Sequence, residues 1–241
     1  MTPYTILSEY FPSTDADNLR RVIVGTVKHL EEIFDFSEVS RNMAVITFEK
    51  QEKPHVRFQY VNSCPVHVIS LNAGFEDWGE FIFQFSHEWT HHLLGAKLPE
   101  SYKGLMWMEE IFCRIVSLET LDHFRNLNLF PDFPLPSFRN FLDNPSKQIA
   151  KCILPLENGI PPFWIDELND QTKSADRLMA IAIHLSGIFF RQKSLFQIFA
   201  KAGRPVEYSS LDSYFLKLQS FSDPCSLEFL LKIKKFFMHS Q

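Results

Sequence analysis

Asp77-Trp78-Gly79-Glu80-Phe81-Ile82-Phe83-Gln84-Phe85-Ser86-His87-Glu88-Trp89-Thr90-His91-His92-Leu93-Leu94 is the stretch that decides how this chain is read. It contains no proline. Its apolar residues Trp78, Phe81, Ile82, Phe85, Trp89 and Leu93 recur at i, i+3 and i+4. That period predicts a single helix with a buried stripe, and Gly95 predicts its end. Inside the helix lies His87-Glu88-Trp89-Thr90-His91, an H-E-x-x-H string. Two histidines four residues apart share one face, with Cβ atoms roughly 5–6 Å apart. Both imidazoles then reach one zinc ion at about 2.0–2.1 Å. Glu88 follows the first ligand by one residue and projects beside the ion, where it can take a proton from a bound water. The string is the short signature of a zinc hydrolase helix. The competing reading is a packed helix that carries its histidines by coincidence and binds no metal; the helical context and a candidate third ligand weigh against it.

Downstream runs Gly104-Leu105-Met106-Trp107-Met108-Glu109-Glu110-Ile111-Phe112-Cys113-Arg114, with 18 residues separating His91 from Glu110. This spacing, with Trp107 three residues before Glu110, resembles the gluzincin metallopeptidases. The nearest pattern is the H-E-x-x-H-x18-E arrangement of the branch that includes the M1 aminopeptidases, whose W-x-x-E-x-F segment is similar to Trp107–Phe112. The resemblance covers roughly residues 66–118, about a fifth of the chain. It implies that Glu110 is the third zinc ligand, carried on a second helix antiparallel to the first. A catalytic zinc takes three protein ligands and keeps a fourth position for water. Glu109 and Glu110 differ by about 100° around a helix, so only one faces the ion. Glu110 matches the family position, which leaves Glu109 as a solvated carboxylate or a support for the ligands. A metzincin-type site needs a further histidine soon after a glycine, and none occurs between His92 and His123. His92 itself lies about 100° off the ligand face and reads as a packing or capping residue.

The rest of the composition narrows the class. At 241 residues, 45% apolar and 22% charged, the chain suits one large domain, or a catalytic domain with a helical extension. The 25 phenylalanines predict an aromatic core. A net charge of −5 without a Lys/Arg cluster argues against nucleic acid as a partner. The longest clean apolar run, Leu178–Ile183, is far too short to span a bilayer. The first residues lack the basic and apolar regions of a secretory signal. Cys64, Cys113, Cys152 and Cys225 are scattered without a C-x-x-C pair, as expected for reduced cysteines in a cytoplasmic protein.

Thr14 or Asp15 is placed to cap a first helix running to about Phe34. Three strand-like runs follow, Met43–Phe48, Val56–Val61 and Val66–Leu71, each rich in β-branched or aromatic residues. After the Glu110 helix, which should reach about Phe124, residues 125–165 are proline-rich. They read as a long loop with one short helix near Ser137–Leu142. Helices are then expected over Ala175–Phe190, Ser194–Ala202, Ser209–Ser220 and Ser226–Met238. The predicted class is α+β: a small sheet packed with two metal-bearing helices in a zincin-like arrangement, then a helical C-terminal half. The predicted division is 1–125 for the sheet and metal helices and 126–241 for the proline-rich connection and helical region.

The resemblance also implies a cleft between the sheet-containing and helical halves, with the strand before the metal helix at its edge. There Val66–Ala73 would take substrate backbone by strand addition. Asn72-Ala73 looks like the pair that holds substrate backbone in thermolysin-like enzymes, and Asn72 alternatively reads as a turn residue. Gluzincins stabilise the oxyanion with a Tyr or His from the helical half, and His184, Tyr208 and Tyr214 are the candidates. Arg114 stands where some members place an acidic residue, and reads as an ion-pair partner of Glu109 or Glu119. The chain has no G-A-M-E-N string, so exo- and endo-cleavage stay open. The expected function is a zinc-dependent metallopeptidase acting on a peptide or protein, with Zn2+ held by His87, His91 and Glu110 and Glu88 as general base. The alternative is a regulatory or interaction protein on a degenerate zincin fold, binding metal without peptidase turnover. Oligomeric state has no signature in the sequence.

Overall fold

The structure is a computed structural model that describes residues 4–7, 16–35, 43–49, 51–61, 64–73, 78–95, 105–127, 156, 159–161, 164, 167–168 and 171–238. It is α+β, with a small mixed sheet early in the chain and helices dominating the C-terminal half. Two compact units form: Met1–Glu100 with Val116–Leu142, and Ser101–Ile115 with Asp143–Gln241.

The first unit holds a four-stranded sheet of β1 (Tyr4–Ile6), β2 (Met43–Phe48), β3 (His55–Val61) and β4 (Cys64–Leu71) in the order β1-β2-β4-β3. β1 and β2 are parallel, and α1 (Ala16–Phe34) makes the connection between them. β2 and β4 are parallel with Ile46 beside Ile69, and β3 returns antiparallel on the outer side of β4. The three expected strands are present. β1, only three residues long, was too short to carry a pattern in the sequence. The caps expected at Thr14 or Asp15 and the short helix near Ser137–Leu142 lie outside the described residues.

β4 corrects one expectation. It pairs on both sides, Val66–Leu71 with β2 and Cys64–Ser70 with β3. Its backbone donors and acceptors are used within the sheet, so Val66–Leu71 is an inner strand and offers no edge for strand addition. Among the described strands, β3 and β1 are the outer ones.

α1 buries Leu19, Val22, Ile23, Val27, Leu30 and Phe34 along one stripe. Next comes α2 (Trp78–Leu93), the helix of the H-E-x-x-H string, which contacts α1, β3 and β4. It ends as predicted at Gly95, whose φ of 86° is a conformation that glycine adopts without a Cβ clash. The expected stripe is buried, but so is nearly everything else. Of its 16 residues, only Glu80 and His91 keep partial exposure. An amphipathic helix on a surface buries one face, whereas this one is enclosed on most sides.

α3 (Met106–Leu127) is one unbroken helix whose first turns belong to the second unit and whose remainder belongs to the first. Within the first unit, Ser117 Oγ donates to the Phe83 carbonyl at 3.0 Å, tying α3 to α2. Gly25 of α1 faces the Phe124 ring of α3, where an added Cβ would lie 3.1 Å from Cζ. A side chain at Gly25 would require the Phe124 ring to give by a few tenths of an ångström.

The second unit contains the start of α3 with α4 (Gln171–Arg191), α5 (Ser194–Ala202), α6 (Leu211–Gln219) and α7 (Pro224–Met238). All four C-terminal helices match expected segments, with ends shifted by a few residues. Ser210 caps α6 by accepting from the Ser213 amide at 3.2 Å. Phenylalanines fill the core: Phe112 stacks on Phe199 at 5.0 Å, and Phe189 packs against Phe196 and Phe199 at 5.2 Å. Each fully buried ring contributes on the order of 1.5–3 kcal/mol from area alone. None of the described helices is long and apolar enough to cross a membrane.

Candidate metal centre

The site is built from α2 upward. Helical spacing puts His87 and His91 one turn apart, with ring centroids 5.0 Å apart and planes at 73°. His87 is buried and His91 partly exposed. Glu110, partly exposed, comes from the second turn of α3. One ligand atom from each of His87, His91 and Glu110 lies within 4.8 Å of the others. Donors around one tetrahedral zinc at about 2.0–2.2 Å lie roughly 3.3–3.6 Å apart. With separations of up to 4.8 Å, these three side chains could hold such an ion by drawing together. Two imidazoles and a carboxylate are also the chemistry such an ion prefers. Glu88, between the histidines, is 6% exposed.

The structure separates the two adjacent carboxylates. Glu109 is 1% exposed and is gripped by Arg204. Arg204 Nε sits 3.1 Å from both carboxylate oxygens, and Nη2 is 2.7 Å from Oε1. This corrects the expectation of a solvated Glu109. Nothing local in the sequence signals the pair, because Arg204 is 95 residues away. Arg114 is also corrected: it pairs with Glu110 itself, Nη1 donating to Oε2 at 2.6 Å and to the Glu110 carbonyl at 3.1 Å. Glu119, the other expected partner, is bound instead by His29 Nε2 of α1.

His92 is a packing residue, as its angle on the helix predicted. It is fully buried, and its Nδ1 shares a 2.6 Å hydrogen bond with His67 Nδ1 of β4, one nitrogen donating and the other accepting. Burial, aided by His67, pushes its pKa down to about 3, so the ring is neutral.

Asn72 and Ala73 are engaged with α2. Both backbone amides donate to Gln84 Oε1, at 3.2 and 2.9 Å. Gln84 Nε2 donates to Asn72 Oδ1 at 2.9 Å, and Asn72 Nδ2 donates to the Glu52 carbonyl at 2.6 Å. Gln84, three residues before His87, thus pins α2 to the end of β4. The sequence carried one sign of this role, a lone amide among Phe83, Phe85 and Ile82.

The three oxyanion candidates all lie in the second unit. The Tyr208 hydroxyl donates to the Ala202 carbonyl at 2.9 Å. Tyr214, 1% exposed, reaches the Gly203 carbonyl at 3.4 Å, and burial raises its pKa well above the usual phenol value. His184 is exposed on α4 and stacks on Phe236 at 4.8 Å. The chain matches no protein-family model.

Proposed function

We propose that this protein is a zinc-dependent metallopeptidase of the gluzincin type, with His87, His91 and Glu110 as ligands and Glu88 as general base. The observation that carries the reading is the convergence of three donor atoms within 4.8 Å, drawn from the two helices that the H-E-x-x-H-x18-E spacing names. A bound zinc would supply Lewis-acid polarisation of a peptide carbonyl and bring the pKa of water toward neutrality. Glu88 would take a proton from the attacking water and return it to the departing amine. Its burial beside His87 suits this work, because a proton acceptor shielded from bulk water holds its geometry and exchanges its proton with the reacting groups. Gln84 and the β4 end would hold α2, and so both imidazoles, in register.

A second reading, metal binding without turnover, is favoured by one observation. The Tyr208 hydroxyl is spent on the Ala202 carbonyl, which leaves the transition-state oxyanion without an evident phenolic donor from that residue.

The test joins metal content to turnover. Elemental analysis should find one zinc per chain in the wild type and in Glu88→Gln, and far less in Glu110→Ala. Screened against a peptide library, Glu88→Gln should lose about 10²–10⁴-fold in turnover, the usual size of a general-base contribution. Unchanged turnover in Glu88→Gln would remove the mechanism. Zinc without cleavage of any peptide would select the second reading.

A further inference from the structure

The geometry points to Arg114 as the residue that sets how tightly the triad holds its metal, a role that rests on the metal-centre reading above. Its guanidinium contacts one of the three proposed ligands directly, at 2.6 Å from Glu110 Oε2, and the same nitrogen donates to the Glu110 carbonyl at 3.1 Å. The two contacts clamp the side chain over one helical turn. Exposed i, i+4 pairs are worth little, because water screens them and both side chains must be ordered. Here the side chains are only 15% and 13% exposed, so screening is reduced. A guanidinium does not lose its proton in proteins, so this charge is permanent.

Two consequences follow. In the metal-free protein, Arg114 neutralises the Glu110 carboxylate and keeps it ordered beside His87 and His91. When a divalent cation enters, it meets a fixed positive charge already bonded to one of its ligands. Like charges a few ångströms apart in a poorly screened site oppose each other, and the carboxylate must divide its negative charge between them. The ordering favours binding and the charge opposes it. The charge prevails, since the partner is a doubly charged ion while only one side chain is being ordered. Arg114 therefore lowers metal affinity. The acidic residues that usually support metal ligands act in the other direction, raising ligand basicity.

The experiment is a zinc titration of the stripped, full-length protein against a chromophoric chelator, on wild type, Arg114→Met, Arg114→Lys and Glu110→Gln, with thermal unfolding followed in parallel. Arg114→Met removes the charge and keeps the length. It should bind zinc about tenfold more tightly, the lower end of the effects seen for groups that contact metal ligands. Arg114→Lys keeps the charge and should stay near wild type, a rescue that a purely structural role does not predict for affinity. Glu110→Gln should bind more weakly than all of these. Should Arg114→Met fail to fold, Arg114→Gln is read by the same criterion. If wild type and the neutral variant each bind one zinc with equal affinity, or the variant binds more weakly, the inference about Arg114 is wrong and the metal centre stands. If neither binds zinc, the metal centre itself is wrong and the inference falls with it.

Discussion

Two groups of two histidines and one glutamate sit on the helices of this protein, and they have opposite characters. His87, His91 and Glu110 bring one donor atom each within 4.8 Å of the others, His87 buried and His91 and Glu110 partly open to solvent. His29, Glu119 and His123 lie on α1 and α3. His29 binds the Glu119 carboxylate through Nε2 and lies flat against the His123 ring, with centroids 3.6 Å apart and planes at 17°. His29 and Glu119 are 3% and 4% exposed. Identical residue types thus yield a candidate ion site in one place and a helix-to-helix contact, with His29 and Glu119 buried, in the other. What separates them is direction. In the first group the ligand atoms converge; in the second the rings stack and the carboxylate is consumed by one of them. Among the described residues, only the first group has the geometry to hold a metal.

The largest expected effect tests this contrast directly. His91→Ala should abolish stoichiometric zinc binding and all turnover, while His29→Ala leaves one zinc per chain. If His29→Ala also empties the site, the two groups are not independent. The neighbouring carboxylates sharpen the same point. Glu109→Gln leaves the buried Arg204 charge without its counter-ion and should cost about 3–5 kcal/mol of stability, read from thermal or denaturant unfolding. Its zinc stoichiometry should persist once the protein is folded. Glu110→Gln should do the reverse. Glu119→Gln comes next. It weakens a buried contact with His29 and should cost about 1–3 kcal/mol, again with zinc retained. The smallest effect is expected of Tyr208→Phe, which removes one partly exposed hydrogen bond worth about 1 kcal/mol or less. If Tyr208 instead swings away from Ala202 to meet the oxyanion, kcat should fall about 10²–10³-fold. A kcat measurement on this variant separates the two outcomes.

Much of this was written locally. The strands Met43–Phe48 and Val66–Leu71, the helix Trp78–Leu93 and its stop at Gly95 all follow from patterns a few residues long. The convergence of His87 with His91 was equally legible, because a helix turns by a set angle per residue and leaves the chain no choice. The position of β4 was not. An inner strand and an outer one have the same β-branched, aromatic composition, and only the pairing of β2 and β3 on its two sides made it central. The environment of α2 was also hidden. Its periodicity described one buried stripe, and the layers around it buried the polar side as well.

By itself, then, the sequence determined the helix that carries the histidines, the presence of a carboxylate after an 18-residue gap, and the α+β class. Those features depend on dihedral preferences and on periodicity, which act over a few neighbours. The tertiary structure alone decided that Glu110 meets the histidines while Glu109 is held by Arg204, that Arg114 grips Glu110, and that Gln84 secures β4 to α2. Those outcomes depend on which surfaces are buried against each other. A side chain removed from water must find a partner wherever packing supplies one, even 95 residues away.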